Sequence, residues 1–246
     1  MTRGTFSIAY PCLAAASAPR LARALSTLIA ASVSLILVTG CAPAPFALSP
    51  LPTLSNPDPL TLRDTFAASI PPHFISDDSV IIYAPFHRLA VLGVLRVDRA
   101  AGTFELAGLN QIGVQIFELG GDRNGNIVRF AIPPLDQQRE VLLSIAADVR
   151  RIYFDLLPAD GAKVDVRPTF VRFRQPANSG TLIYEFGGQP TVLLEKRFAG
   201  WLGTIWRVRY FDYAISNGSL YPRGVVMDNA QYHYRIVIKN RQWQTQ

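Results

Sequence analysis

The chain has 246 residues, of which 49% are hydrophobic, and a formal net charge of +6. Three of its 24 basic side chains lie before Cys41, where there is no acidic side chain, so the remainder carries 21 basic and 18 acidic groups. The resulting charge of +3 is small, and no predicted helix carries a run of lysine or arginine. These features argue against nucleic acid as a partner.

Cys41 ends a segment that has the features of a bacterial lipoprotein signal. Residues 25–38 form an apolar, uncharged run, and Thr39 and Gly40 are small residues directly before the cysteine. A basic start, a short hydrophobic stretch and small residues at the cleavage point define such signals. We expect residues 1–40 to be removed and Cys41 to carry the acyl chains, two or three of which anchor a protein stably. The alternative is an uncleaved membrane helix, although the run is shorter than the roughly 20 residues that span a bilayer.

The residues around Cys41 also predict the compartment and limit the chemistry. An Asp after the cysteine would resemble the inner-membrane retention signal of enteric bacteria, and Ala42 stands there instead. We therefore expect a lipid-anchored protein at the periplasmic face of the outer membrane. Cys12 lies in the segment predicted to be removed, so Cys41 is the only cysteine that remains. This excludes an internal disulfide, a cysteine-based metal site and thiol catalysis.

A proline-rich stretch follows the cysteine, with six prolines between residues 42 and 59. Proline at this density favours extended chain and prevents both helix formation and strand pairing. We interpret residues 41–78 as a linker and residues 79–246 as a single β domain. The alternative is an ordered arm that packs on the domain. Residues 61–70 are predicted to form a short helix that Pro71 and Pro72 end.

The rest of the chain predicts a mainly β (α+β) fold with one amphipathic helix. Alternation of apolar and polar residues is clear at 204–212 and 231–239, as expected for strands with one buried face. Apolar residues recur every three or four positions over 137–157, which predicts a helix with Asp136 as N-cap and Pro158 as its end. Ten or eleven strands exceed what an open sheet carries without curling, so we expect a curved antiparallel sheet or unclosed barrel with the helix packed across it. The predicted strands are 80–84, 89–97, 103–108, 112–119, 126–132, 169–174, 181–186, 191–198, 204–212, 224–228 and 231–239.

The sequence contains no recognisable catalytic or metal-binding motif. His73, His87 and His233 have no partner at metal-ligand spacing, and no hydrolase elbow, zinc-protease motif or phosphate-binding loop occurs. The segment 122–126 resembles the start of a calcium loop, but its glycine is misplaced and the closing glutamate is missing. We interpret it as a hairpin turn, because Asn124 and Gly125 tolerate positive φ. No enzymatic activity, metal or cofactor is predicted.

A curved sheet must cover its concave face, and a helix that fills it incompletely leaves a hydrophobic pocket. Aromatic and aliphatic residues of the predicted strands are the candidate ligand contacts. The alternative is that these side chains simply form the core. The candidates are Phe104, Leu106, Phe117, Leu119, Phe173, Trp206 and Tyr210, with Phe170 and Trp201 as further residues.

The C-terminal end resembles that of LolB-type lipoproteins. It has a Pro-Arg pair at Pro222 and Arg223, a strand, an Asp-Asn turn, an alternating strand over 232–238 and finally Trp243. The stretch 107–113 also resembles uncharacterised bacterial lipoproteins related to the LolA/LolB carrier fold. The resemblance covers residues 80–243 and implies an unclosed barrel of about eleven strands with a helix across its mouth. It further implies a cavity for acyl chains, either of lipoproteins in transit or of other lipids.

Three functional hypotheses follow. The first is a membrane-anchored, non-enzymatic protein that binds or transfers acyl chains or another hydrophobic ligand, with basic residues facing lipid head groups. The second is a structural lipoprotein that scaffolds an envelope complex through its sheet edge or helix face. The third is an envelope hydrolase or transferase whose residues meet only in space. The basic residues proposed to face head groups are Arg172, Arg174, Arg207 and Arg209.

Overall fold

In the part of the chain that the structure describes, twelve antiparallel strands and two α-helices form the fold. The computed structural model describes residues 45–47, 50–54, 57–85 and 87–245, so the predicted signal and Cys41 lie outside the described residues. The helices are α1 (Pro59–Ser69) and α2 (Arg139–Tyr153). The strands are β1 (His73–Ala84), β2 (His87–Asp98), β3 (Thr103–Leu109), β4 (Gln115–Asp122), β5 (Gly125–Ala131), β6 (Lys163–Val166), β7 (Phe170–Ala177), β8 (Gly180–Gly187), β9 (Val192–Gly200), β10 (Gly203–Ser216), β11 (Ser219–Asn229) and β12 (Tyr234–Thr245).

All strands belong to one sheet in the order β5-β4-β3-β2-β1-β12-β11-β10-β9-β8-β7-β6. Two meanders, β1 to β5 and β6 to β12, are therefore joined where β1 pairs with β12. The sheet curls around α2 without closing, which confirms the predicted mainly β fold class. The strand that the sequence did not indicate is β6, which has only four residues and forms one edge.

The fold begins earlier in the chain than the predicted boundary at residue 79. Pro59 starts α1, Asp58 caps it through the Thr61 amide, and Phe66 is buried against Phe186 with ring centroids 5.3 Å apart. β1 then starts at His73, because the residues after Pro71 and Pro72 pair with β2 and β12. Residues 57–78 are thus part of the domain and not linker.

Part of the proline-rich segment packs on the domain, as the alternative interpretation of an ordered arm expected. The Leu54 amide donates to the Pro168 carbonyl at 2.7 Å, and Phe46 stacks on Phe211 at 5.4 Å between ring centroids. Residues 44–246 form one compact unit with its own hydrophobic core. We therefore expect this unit to fold without residues 1–43.

Helix α2 is shorter than its sequence pattern predicted. Residues 135–138 form a 3-10 turn, so the α-helix starts at Arg139, and the N-cap position is held by Gln138 and not by Asp136. The helix ends at Tyr153, because Phe154 is extended and Asp155 has a φ of 47°. It ends before Pro158 is reached. None of the helices among the described residues has the length and hydrophobicity needed to cross a bilayer.

The hairpin turns of the sheet fall on two rims. What we call the upper rim consists of the turn that follows β1 at residue 85 and those at 110–114, 178–179, 201–202 and 230–233. The lower rim consists of the turns at 99–102, 123–124, 167–169, 188–191 and 217–218. The turn at 123–124 is the predicted hairpin, and the Asp122 carboxylate accepts a hydrogen bond from the Asn124 amide at 2.7 Å.

Candidate functional site

Helix α2 lies across the concave face and leaves a small cavity of about 40 Å³ beneath it. A cavity needs about 10–15 Å³ to hold one water molecule, whereas small-molecule pockets measure roughly 300–1,000 Å³. The cavity as it stands is therefore too small for an acyl chain. Its wall is apolar apart from one carboxylate, and includes Val80, Val91, Leu106, Phe117, Val149 and Ile236.

Two of the seven predicted ligand contacts, Leu106 and Phe117, line this cavity. They are paired with neighbours on adjacent strands, and the Phe117 ring lies flat over Gly108. A Cβ on Gly108 would lie only 2.3 Å from the Phe117 ring. The glycine therefore lets the ring lie close to the sheet, which keeps space under the helix.

The other five predicted contacts are buried in the same core but do not line the cavity. Phe104 covers Gly121 as Phe117 covers Gly108. Phe173 packs edge-on against Phe186, and Trp206 stacks on Phe198. Leu119 is fully buried, and Tyr210 contacts the end of α2. Their role as ligand contacts stays a prediction.

The two further aromatic candidates lie away from the concave core. Phe170 is half-buried with the Arg172 guanidinium 4.9 Å from its ring centroid. Trp201 is 92% exposed at a turn of the upper rim. A hairpin tip holds it outside the sheet, because Gly200 pairs with Gly203 around the two turn residues.

The C-terminal end of α2 is held by four side chains from the sheet, which we call the carbonyl clamp. The last carbonyls of a helix have no partner within the helix. Here each carbonyl from 152 to 155 accepts a hydrogen bond from a strand or turn residue, at distances between 2.7 and 3.2 Å. This capture of four successive carbonyls explains why α2 ends before Pro158. The clamp residues are Arg99, Tyr184, Lys196 and Tyr210.

Burial shifts the titration of the clamp cations. It lowers the pKa of the Lys196 ammonium to about 7 and that of the Arg99 guanidinium to about 10. The Lys196 Nζ donates to the carbonyls of Phe154 at 2.9 Å and Asp155 at 3.2 Å. A neutral amine still makes both bonds, so the clamp does not depend on the lysine charge.

A second set of polar contacts, the aspartate network, holds the middle of α2. Asp148 is 0% exposed, and its carboxylate accepts hydrogen bonds from the Tyr234 hydroxyl at 2.6 Å and the Asn229 amide at 3.1 Å. Arg151 pairs with it at 2.5 Å, and Ser144 contacts the same tyrosine hydroxyl at 2.8 Å. Burial outweighs these partners and raises the pKa of Asp148 above its usual value. The helix is thus tied to β11 and β12 through one carboxylate.

Asp78 supplies the carboxylate in the cavity wall. Its two oxygens accept hydrogen bonds from the Ser76 hydroxyl at 2.8 Å and the Asn240 amide at 3.0 Å. The pairing of β1 with β12 shifts register at this point. Burial raises the pKa of Asp78 to about 6, against the opposing effect of these two hydrogen bonds.

We expect Asp78 to make the protein less stable as the pH rises from about 4 to about 6. The folded state keeps the proton up to a higher pH than the unfolded state, whose aspartate has a pKa of 3.8. Stability is therefore lost across this window, by about 3 kcal/mol. Urea denaturation of residues 44–246 at the two pH values should show this loss, and the Asp78→Asn variant should show a much smaller one. A variant with the unchanged pH dependence would contradict the assignment.

An apolar loop at the upper rim was missed in the sequence analysis, which assigned residues 112–119 to a strand. Ile112 is 84% exposed and Val114 is also exposed. The Asn110 side chain accepts hydrogen bonds from both amides, at 3.1 and 2.9 Å, and so shapes the loop away from the sheet. The asparagine together with Gly113 is the turn signal that could have revealed the loop.

The described residues contain no group of three or more His, Cys, Asp or Glu side chains arranged to hold a metal ion. His73 approaches Asp98 at 3.3 Å on the lower rim, whereas His87 and His233 lie at the upper rim. The four basic residues predicted to face head groups all lie on the convex face. Three of them pair with carboxylates there, Arg172 with Glu185 and both Arg207 and Arg209 with Asp228.

Comparison with known proteins identifies the fold but no family. The sequence matches no protein family profile and no curated protein. The structure is similar to that of a LolA superfamily protein from Nitrosomonas europaea, with 9% sequence identity and a TM-score of 0.52 over 76% of this chain and 93% of that chain. A DUF1329 family protein from Desulfovibrio piger is less similar, with 8% sequence identity and a TM-score of 0.47 over 75% of this chain and 90% of that chain. The chain therefore has a LolA-like fold.

Proposed function

We propose that this protein binds an acyl chain or a similar hydrophobic ligand between α2 and the concave face of the sheet. The observation that carries the proposal is the apolar cavity under α2, which a helix tied down by polar contacts leaves incompletely filled. Protein cores contain few voids larger than a water molecule, and a buried carboxylate costs stability unless it is hydrogen-bonded, so the cavity and its carboxylate are unusual features of this core. The proposed role is binding and transfer, not catalysis.

Ligand entry requires α2 to move away from the sheet, and the contacts of the helix suggest which half moves. The carbonyl clamp fixes the C-terminal end through four residues. The first turn has no side-chain cap, and residues 137–140 are exposed. We therefore propose that the N-terminal half lifts while the clamp acts as the pivot. This movement must break the aspartate network.

If Cys41 is lipidated as predicted, the proposed ligand pocket would lie close to a membrane. Lipidated Cys41 would hold the protein on the outer membrane, with only the segment 42–58 between the acyl chains and α1. The ligand would then be exchanged with that membrane or with a lipoprotein that carries acyl chains. The compact unit 44–246 should bind ligand without the anchor, because its core is complete.

Purified residues 44–246 are expected to retain lipid visible by native mass spectrometry and to bind a fluorescent fatty acid. A bulkier cavity wall should prevent this, so Val91→Phe is expected to lower the affinity roughly tenfold or more, since it fills the space that the chain would enter. Val94→Phe is the matched control, because Val94 lies on the same strand with its side chain on the convex face.

A folded Val91→Phe variant that binds the fatty acid like the unchanged protein would contradict the proposed pocket. Circular dichroism and the unfolding midpoint establish that both variants fold. A protein that neither retains lipid nor binds the probe would contradict the proposed function as a whole.

The second candidate function is a scaffold for an envelope complex. It is favoured by edge strand β6, where Val164 and Val166 are exposed and the strand has a neighbour on one side. An unpaired edge can accept a strand from another protein. Affinity capture with the full chain, compared with a Val166→Pro variant that blocks the edge, tests this candidate. Capture of a defined partner that the variant loses, with no lipid bound, would favour it over the pocket.

A further inference from the structure

Trp201 and Leu202 form the turn between β9 and β10 and are 92% and 82% exposed. Two-residue hairpin turns favour glycine, asparagine and aspartate, because these residues adopt the positive φ angles that such turns require and expose no large apolar side chain to water. Gly200 and Gly203 flank the turn here and pair with each other, so the turn does not require a large apolar side chain at either of its two positions. Local sequence rules are broken most often where a residue serves function. A tryptophan and a leucine at this tip therefore indicate a surface that contacts an apolar environment outside the protein.

A row of basic side chains crosses the convex face below this rim. The pairing of β6, β7, β8, β9, β10, β11, β12, β1 and β2 brings one outward-facing residue from each strand into line. Six of the nine residues are basic and one is acidic, which gives the row a net charge of +5. We call it the basic row: Lys163, Arg174, Ile183, Arg197, Arg207, Asp228, Arg235, Tyr83 and Arg88.

The basic row contains one carboxylate, Asp228, which is too little negative charge to neutralise the arginines around it. Asp228 pairs with Arg207 at 3.3 Å, Arg209 at 3.1 Å and Arg235 at 2.5 Å, so three guanidinium groups share one negative charge. The Nε atoms of Arg207 and Arg209 are buried without a partner among the described residues, so they offer no donor to an outside ligand. Three guanidinium groups and one carboxylate still leave the cluster with a net charge of +2, which favours an anionic group.

The remaining cations of the basic row differ in their pairing. Arg197 is half-buried and pairs with Glu195 at 2.5 Å and with Glu185 at 3.4 Å, so its charge is largely offset. Lys163, Arg174 and Arg88 are exposed and form no ion pair with the described residues. Arg88 lies over the ring of Tyr83 at 5.4 Å, near the upper-rim end of β1 and β2. The next row toward the lower rim runs across the same strands from Asp165 through Arg172 to Ala90 and carries a net charge of −1. The two rows together therefore remain positively charged.

The basic row and the apolar tip lie at the spacing of a membrane interface. Arg197 lies four residues before Trp201 and Arg207 lies five residues after Leu202, and at about 3.3 Å per residue this is roughly 13–16 Å along the strands. Tryptophan prefers the level of the lipid head groups, and apolar groups of peripheral proteins enter the interface by about 5–10 Å. Arginine chains at the height of the row would reach the phosphates.

We propose that the upper rim, with Trp201 and Leu202 at its tip and the basic row behind it, docks on a bilayer that contains anionic phospholipid. This surface is separate from the cavity under α2 and does not depend on the acyl chains at Cys41. It would hold the domain against the membrane in one orientation, with the lower rim away from the lipid.

Intrinsic fluorescence of residues 44–246 tests the proposal, because Trp206 and Trp243 are buried and Trp201 is exposed. We expect a blue shift and co-sedimentation with vesicles of equal parts phosphatidylcholine and phosphatidylglycerol, and much weaker binding to phosphatidylcholine alone. Trp201→Ser should remove the blue shift, and the double variant with Leu202→Ser should weaken co-sedimentation by roughly tenfold or more.

Matched variants test the orientation and the charge. Ile215→Ser removes an apolar side chain that is 69% exposed next to the lower rim, and it should not change binding. Arg88→Gln should weaken binding by roughly fivefold, since one cation near an anionic surface contributes about 1 kcal/mol. Arg96→Gln is its control, because Arg96 lies on the same strand and face near the lower rim.

Absence of binding to the anionic vesicles would overturn the proposal. So would equal binding to both kinds of vesicle, or equal losses from Ile215→Ser and the double variant. Specific capture of a protein through Trp201, without vesicle binding, would assign the surface to a protein partner instead. None of these results concerns the fatty acid probe, so the pocket and the docking surface are tested separately.

Discussion

The free energy of unfolding is expected to rise by about 4 kcal/mol between pH 7 and pH 10 because of Lys196 alone. Burial lowers the pKa of this lysine from 10.5 to about 7 in the folded protein. In the interval between the two values the unfolded state binds the extra proton, so stability increases with pH. The increase begins near the folded pKa and ends near the unfolded one.

Urea denaturation of residues 44–246 at pH 7 and pH 10 checks this expectation. Lys196→Met keeps a chain of similar length and removes the amine, so the variant should lack most of the rise. Lys239→Met is the matched control, since Lys239 is exposed on the convex face of β12. Because Tyr184 and Tyr210 also have raised pKa values, the difference between variants is the relevant quantity. Identical pH dependence in both variants would show that Lys196 is charged in the folded protein.

Replacing Asp148 with alanine is expected to lower the free energy of unfolding by about 4 kcal/mol. The change leaves the Tyr234 hydroxyl and the Asn229 amide without their shared acceptor in a buried site. It also leaves Arg151 without its ion pair. Asp148→Asn retains an acceptor oxygen and removes the charge, so it should cost much less.

The same pair of variants connects stability with ligand binding. If the N-terminal half of α2 lifts to admit an acyl chain, a weaker aspartate network raises the population of the open form. Asp148→Ala should then bind the fluorescent fatty acid faster than the unchanged protein, even though it is less stable. A destabilised variant with unchanged association kinetics would mean that Asp148 supports the fold without restraining the helix.

The alternation of side chains made the C-terminal strands predictable. Trp206, Val208 and Tyr210 of β10 are buried on one face, as are Tyr234, Ile236 and Ile238 of β12, as the alternation predicts. The predicted strand 231–239 started too early, because residues 231–233 form the turn before β12. The sequence also identified α2 by its apolar face. It did not identify where α2 ends, because the residues that end the helix lie far from it in the sequence: Lys196 and Tyr210 come from strands and Arg99 from a turn.

The site was harder to predict than the fold. Leu106 and Phe117 belong to the cavity wall, whereas Phe104 and Leu119, on the same two strands, do not. All four are apolar residues in strands, and only the position of α2 separates them. The N-terminal boundary was misplaced for a different reason: proline density dominated the interpretation, although Pro59 stands at a helix start, where proline is favoured.

The pairing of β1 with β12 has a consequence for how the chain reaches its final form. Asp78 and Asn240 meet across this pair although they are 162 positions apart in the sequence. Each of the two meanders is built from local hairpins and can assemble early, but the seam between them must wait for the last strand. Until β12 is available, the inner faces of both meanders have exposed apolar edges that invite aggregation. Pairing of β12, which includes Trp243 stacked on Phe74, is therefore the closing step of assembly.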